Sequence, residues 1–135
     1  MRRSLIALVV FWMLLAALSA AAQQGRMKVV LDTDIGTDID DAWALGYALK
    51  SPSFQLLGIS VTDGDTAQRA RLVCKLLHRL GRTDVPVAVG RPTTAVPQDR
   101  IDYQFAWAED FREYRPVATP AADFLADTIR RNLAR

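Results

Sequence analysis

The sequence predicts an α/β fold, a Rossmann-like open, mainly parallel sheet flanked by helices, and two patterns carry that prediction. Short apolar runs, Met27 to Asp32, Phe54 to Thr62 and Val85 to Val89, alternate with longer segments whose apolar residues recur at three- and four-residue spacing. Turn-forming Gly, Pro, Ser and Asp residues punctuate the junctions between them.

Each element has a local cause. Met27 to Asp32 is a continuous aliphatic run of the kind found in parallel strands covered on both faces. Asp41 to Leu49 reads as a helix, with Trp43 and Tyr47 four apart as core packing, and Ser51-Pro52-Ser53 ends it. Phe54 to Thr62 is the second strand, and Asp63-Gly64-Asp65 turns the chain into a second helix. Ala70, Val73, Leu76, Leu77 and Leu80 form that helix's apolar stripe, and Gly81 suits its C-terminal cap. Val85 to Val89 is the third strand. Gly90 to Pro116 shows no clear period and contains Pro92, Pro97 and Pro116, so it reads as a long excursion. Its aromatic residues Tyr103, Phe105, Trp107, Phe111 and Tyr114 are read as packing the excursion onto the domain rather than as covering a ligand. Thr119-Pro120 starts a last helix, with Ala122, Leu125, Ile129 and Leu133 on one apolar face.

Residues 1–22 read as an export signal: Arg2 and Arg3, an apolar run from Leu5 to Leu18, and small residues from Ser19 to Ala22. That run is too short for a spanning helix, which needs about 20 residues, so no stable membrane anchor is expected after cleavage and the mature chain is expected to be periplasmic or secreted. Residues 23–135 suffice for one small domain or a piece of one. Cys74 is the single cysteine, which excludes an internal disulfide and suggests a buried thiol. The net charge of +2 comes from scattered basic residues with no stripe interleaved with aromatics, which argues against nucleic acid as partner.

Five carboxylates, Asp32, Asp34, Asp38, Asp40 and Asp41, fall within ten residues, with no Lys or Arg between Lys28 and Lys50. One or two aspartates here would read as a helix N-cap or a solvated turn. Five around Gly36, between a buried strand and a helix, point instead to a ligand site at the carboxyl end of the first strand. An all-oxygen set favours a hard cation, Ca²⁺ or Mg²⁺, over zinc.

Val30-Leu31-Asp32-Thr33-Asp34-Ile35-Gly36, followed by Asp40-Asp41-Ala42, resembles the signature of the nucleoside hydrolase family, an Asp-x-Asp-Pro-Gly turn with an Asp-Asp pair at a helix start. Gly58 to Asp65 is similar to the family's second conserved stretch, and Val85-Pro86-Val87 and Thr119 to Arg131 sit where that family places their counterparts. This sequence departs from the family pattern at Ile35, which replaces Pro, at the lengthened segment Thr37-Asp38-Ile39, and at Asp65, where Asn is common.

The resemblance, to the N-terminal portion of an inosine- or uridine-preferring N-ribohydrolase, implies hydrolysis of ribonucleosides to ribose and free base. It implies Asp34 and Asp41 as Ca²⁺ ligands, Asp34 also as the base that activates water, and Asp40 with Asp65 as ribose contacts. Asp32 and Asp38 are additional candidates. His78, the only histidine, is read as a surface or capping residue. The family's later ligand and C-terminal His-Asp pair have no counterpart, so the domain is expected to be truncated at its C-terminus. The resemblance is compatible with a homo-oligomer. Two alternatives stand beside it. One is a Mg²⁺-dependent phosphatase of the haloacid-dehalogenase type, which also ends a first strand in Asp-x-Asp. The other is a truncated remnant that binds a cation or ribose without turnover.

Overall fold

The computed structural model describes residues 25–94 and 102–133 of the chain. The predicted export signal lies outside the described residues. In chain order the elements are β1 Met27–Thr33, α1 Asp40–Lys50, β2 Phe54–Val61, α2 Thr66–Arg79, β3 Val87–Val89, α3 Asp102–Ala106 and α4 Ala121–Leu133. The three strands form one parallel sheet in the order β1-β2-β3. The predicted α/β architecture is therefore present, with α1 and α2 as the crossovers between successive strands.

Alternation along the strands divides the packing into two layers. Val29 and Leu31 of β1, Ile59 and Val61 of β2, and Val87 of β3 pack with Leu45 and Leu49 of α1 and Val73, Cys74 and Leu77 of α2. The other face carries Val30 and Ala88, packed with Ala121 and Phe124 of α4. The β1–β2 register slips between Val29, opposite Leu56, and Val30, opposite Gly58. That irregularity accounts for Leu56 and Ile59, three apart, facing the same layer. A β-carbon at Gly58 would run into the Phe124 ring, so the glycine is what admits α4 to this part of the sheet.

Three expectations are corrected. Met27, Lys28 and Asp32 of β1 are exposed and Val29 to Leu31 only half-buried, because among the described residues β1 is an edge strand paired with β2 alone, and each of its faces is only partly covered. Trp43 and Tyr47 are 73% and 66% exposed, since α1 turns Leu45, Ala48 and Leu49 to the core; Tyr47 stands edge-on to Phe54 instead. On α4 the buried residues are Ala121, Phe124 and Thr128, not the predicted Ala122, Leu125, Ile129 and Leu133. Rotating the helix by one position, about 100°, puts its one aromatic into the space over Gly58.

Two further readings fail in part: Leu80 of the predicted α2 stripe is 47% exposed because it lies past the last helical residue, Arg79, as the C-cap, and Trp107 of the excursion is 43% exposed; the Tyr103 side chain lies outside the described residues. The α2 C-terminus is closed by Gly81 at φ 66, with Gly81 N–H donating to His78 O and Arg82 N–H to Leu77 O. The long excursion contains the short helix α3 and lies on the domain through half-buried Phe105, buried Phe111 and Tyr114, whose hydroxyl donates to Val85 O. Burial pushes the Cys74 thiol up to about 12, so it is inert at neutral pH. No helix among the described residues is long and apolar enough to cross a membrane.

Candidate active site

The carboxyl ends of the strands lie side by side: Thr62 N–H donates to Thr33 O, and Gly90 N–H to Val61 O. Two loops leave this edge next to each other, residues 34–39 after β1 and residues 62–65 after β2. The first turns sharply at Gly36, φ 112, where a β-carbon would collide with the Phe105 ring, and Ile35 beside it is 1% exposed. The turn is thus clamped from beneath by an apolar plug and by Phe105. Thr33 Oγ1 accepts the Ile35 N–H at 3.1 Å, a local brace that holds the chain as it leaves the strand.

The five carboxylates of the predicted cluster take three different situations. Asp34 and Asp41 meet. Burial pushes the Asp41 carboxyl up, and the adjoining Asp34 carboxyl pushes it further, with a hydrogen bond involving Thr33 acting in the opposite direction. Asp38 and Asp40 form a second pair: the hydrogen bond between them holds Asp38 above the usual carboxylate range and Asp40 below it. Asp32 stands apart, its Oδ1 accepting the hydroxyl proton of Ser60 across the ladder. Neither Asp40 nor Asp41 is the N-cap of α1. Ile39 occupies that position without a side-chain cap, and Asp40 Oδ1 accepts the Asp41 N–H at 2.9 Å.

Asp65 sits in the second loop as the N-cap of α2, accepting from Gln68 N–H at 3.0 Å and Gln68 Nε2 at 2.8 Å. The Gln68 side chain holds its carboxyl below the ordinary range. His78 is near the opposite end of α2, exposed and against the Phe111 ring, with its carbonyl closing the helix. That matches the surface and capping role read from the sequence.

Sequence reasoning missed the residue that joins the two loops. Arg69 of α2 is 2% exposed, and its guanidinium donates to the carbonyls of Asp34, Ile35 and Asp63 and to Thr37 Oγ1. The available signal was its position: Arg69 falls on the α2 face that also buries Thr66, Ala70, Val73 and Leu77, where a charge needs partners. Asp63, at φ 62, and Thr93 were missed as well. Thr93 Oγ1 donates to Asp63 Oδ1 and accepts the Gly64 N–H, both at 2.7 Å.

Chemically, the turn offers hard oxygen donors at the edge where open α/β sheets bind their ligands. Among the described residues, none of the five carboxylates forms an ion pair with Lys or Arg, and no three His, Cys, Asp or Glu side chains converge as a metal-holding group. Asp34 and Asp41 supply two adjacent carboxylates suited to a cation that takes its other oxygens elsewhere.

Residues 29–134 match the family model described as inosine-uridine preferring nucleoside hydrolase. This chain belongs to that family. The nucleoside hydrolase match spans both loops of the site and runs on through α4, and it leaves the haloacid-dehalogenase reading unfavoured. The chain is 42% identical over 78 residues to a probable uridine nucleosidase 2 of Arabidopsis thaliana, covering 56% of this chain and 24% of that protein. It is 45% identical over 67 residues to an uncharacterised protein of Corynebacterium ammoniagenes, covering 48% of this chain and 71% of that one. A solved plant nucleoside hydrolase superposes with a TM-score of 0.64 at 27% identity, over 80% of this chain and 37% of the plant chain. This nucleoside hydrolase chain thus spans about a quarter of the Arabidopsis relative and little more than a third of the solved enzyme.

Proposed function

We propose that this chain carries the cation- and ribose-binding end of a nucleoside N-ribohydrolase active site, cleaving the N-glycosidic bond of ribonucleosides to give ribose and free base. The observation that carries the reading is the family match over residues 29–134, which takes in Asp34 in the turn after β1 and Asp41 at the start of α1.

Asp34 and Asp41 would hold Ca²⁺, which supplies a Lewis acid that lowers the pKa of a bound water. Asp34 accepts the proton of the attacking water as general base. Asp40, whose carboxylate stays ionised beside Asp38, accepts hydrogen bonds from the ribose 2′- and 3′-hydroxyls, and Asp65 adds a weaker ribose contact. Positive charge grows on the anomeric carbon as the C1′–N bond opens and its electron pair leaves with the base, which takes up a proton as it departs; the nearby carboxylates stabilise that charge in the way carboxylates stabilise oxocarbenium-like states in glycoside hydrolysis. The signal-like residues 1–22 support a periplasmic or secreted location, and with it nucleoside salvage outside the cytoplasm.

A second reading is favoured by one observation: Asp32, Asp34, Asp38 and Asp40 are all exposed, so the described residues leave the turn open to solvent. On that reading the chain binds a cation or ribose without turnover. The deciding experiment is release of ribose from inosine, uridine and a nitrophenyl riboside by the purified chain, with Ca²⁺ or chelator, beside Asp34→Ala. Calcium-dependent release that is lost in Asp34→Ala supports the hydrolase. Calcium binding without release supports the second reading, and neither binding nor release sinks both.

A further inference from the structure

We propose that Arg69 is the positioning residue of this site, a buried cation that locks the ligand-bearing turn after β1 to the loop after β2. The proposal rests on the reading above that Asp34 holds the cation.

The geometry is specific to a planar, five-donor fork. Nε donates to Asp63 O at 2.8 Å, while Nη1 donates to Asp34 O, to Ile35 O at 2.9 Å and to Thr37 Oγ1 at 3.0 Å. Nη2 lies 3.8 Å from Asp63 Oδ2, and the guanidinium carbon sits 5.8 Å from the centre of the Phe105 ring. One side chain, 3% exposed, therefore satisfies backbone carbonyls in two loops about thirty residues apart.

Two consequences follow. Binding the carbonyls of Asp34 and Ile35 fixes the two peptide planes that flank Ile35 and lead into the turn at Gly36, and with them the direction in which the Asp34 carboxyl leaves the backbone. Arg69 also places a fixed positive charge behind a group of carboxylates that has no Lys or Arg of its own between Lys28 and Lys50. Because it faces the carbonyls rather than the carboxylate oxygens, it opposes their mutual repulsion without competing for their ligand. A lysine has the charge but only one nitrogen, and it cannot span both loops.

The test uses Arg69→Lys and Thr37→Val in the full chain. It reads amide hydrogen exchange at Ile35 and Gly64, whose N–H groups donate to Thr33 Oγ1 and Thr93 Oγ1, together with Ca²⁺ affinity by calorimetry. Arg69→Lys is expected to speed exchange at both amides together while the β2 and α1 amides keep their protection, and to weaken Ca²⁺ binding about 10- to 100-fold. Thr37→Val, which removes one acceptor from the fork, is expected to speed exchange at Ile35 and leave Gly64 unchanged. Unaltered exchange in Arg69→Lys, or protection lost evenly across the sheet, overturns the proposal. If Arg69→Lys does not fold, Thr37→Val decides: unaltered exchange at Ile35 overturns it. Failure of the unaltered chain to bind Ca²⁺ sinks the functional reading instead, and the exchange result still judges Arg69.

Discussion

Ser60 of β2 donates its hydroxyl proton to the carboxylate of Asp32, the residue directly opposite it on β1. Ser60 is fully buried and Asp32 exposed, so the bond ties an exposed carboxylate at the sheet edge to the interior. Hydrogen bonds to charged groups contribute about 1.5–3 kcal/mol, with partial exposure favouring the low end. Ser60→Ala is therefore expected to lower stability by about 1–2 kcal/mol in urea unfolding. Asp32→Asn keeps an acceptor and should cost less. If Asp32 is a ligand in its own right, Asp32→Asn will instead weaken Ca²⁺ binding while stability holds.

Asp41 lies partly buried beside Asp34, and both burial and that neighbour disfavour its charge. In chelator, Asp41→Asn is expected to stabilise the chain by a few tenths to about 1 kcal/mol, a range set by solvent screening of an incompletely buried pair. With Ca²⁺ at about 100 times its Kd, the unaltered chain should gain about 2.7 kcal/mol and Asp41→Asn far less. Thermal unfolding under the two conditions checks both. A variant less stable than the parent in chelator would show that Asp41 supports the turn rather than straining it.

What was legible in the sequence depended on whether its cause was local. The strand–helix–strand order is written in short apolar runs and helical spacing, and it appears with boundaries shifted by one to a few residues. Gly81 closes α2 because only a left-handed residue completes that end. The pairing of Asp34 with Asp41 follows from the turn at Gly36. By contrast, Arg69 acquires its role only when α2 docks under a turn some thirty residues earlier, and nothing in its neighbours along the chain announces those carbonyls. The rotation of α4 has the same origin. Its own residues allow the stripe through Ala122, Leu125, Ile129 and Leu133, and the gap above Gly58, which belongs to β2, selects Phe124 instead. Trp43 and Tyr47 were misread for a related reason: hydrophobicity says that a side chain prefers burial, not which face of α1 the sheet covers.

Asp65 has a structural role that the ribose contact proposed for it must be separated from. Its carboxyl is lowered by the Gln68 hydrogen bonds, so its stabilising effect is fully present above the unfolded value of about 3.9 and is lost as pH falls through the lower folded value. Asp65→Ala should cost about 1 kcal/mol at pH 7, and that deficit should shrink in acid below about pH 4. Asp65→Asn caps nearly as well and should leave stability at pH 7 unchanged. A higher KM for nucleoside in Asp65→Asn, with no loss of stability, would identify a ribose contact. Unchanged kinetics would leave Asp65 as a helix cap alone.

Gly58 and Phe124 make a paired prediction about how α4 is held. An added β-carbon at Gly58 meets the Phe124 ring and comes within 3.3 Å of Pro86 Cγ, and the strand cannot retreat because Ile59 N–H is bonded to Pro86 O at 2.9 Å. Gly58→Ala should therefore destabilise by about 1–3 kcal/mol through overpacking. Phe124→Leu should also destabilise, by leaving part of the ring's space empty. The double variant should lose less than the sum, since the smaller side chain frees the room that the new methyl group needs. Urea unfolding of the four proteins measures this coupling. Strict additivity would mean that α4 does not pack over Gly58, and that its Leu125, Ile129 and Leu133 face, read from the sequence, is the buried one after all.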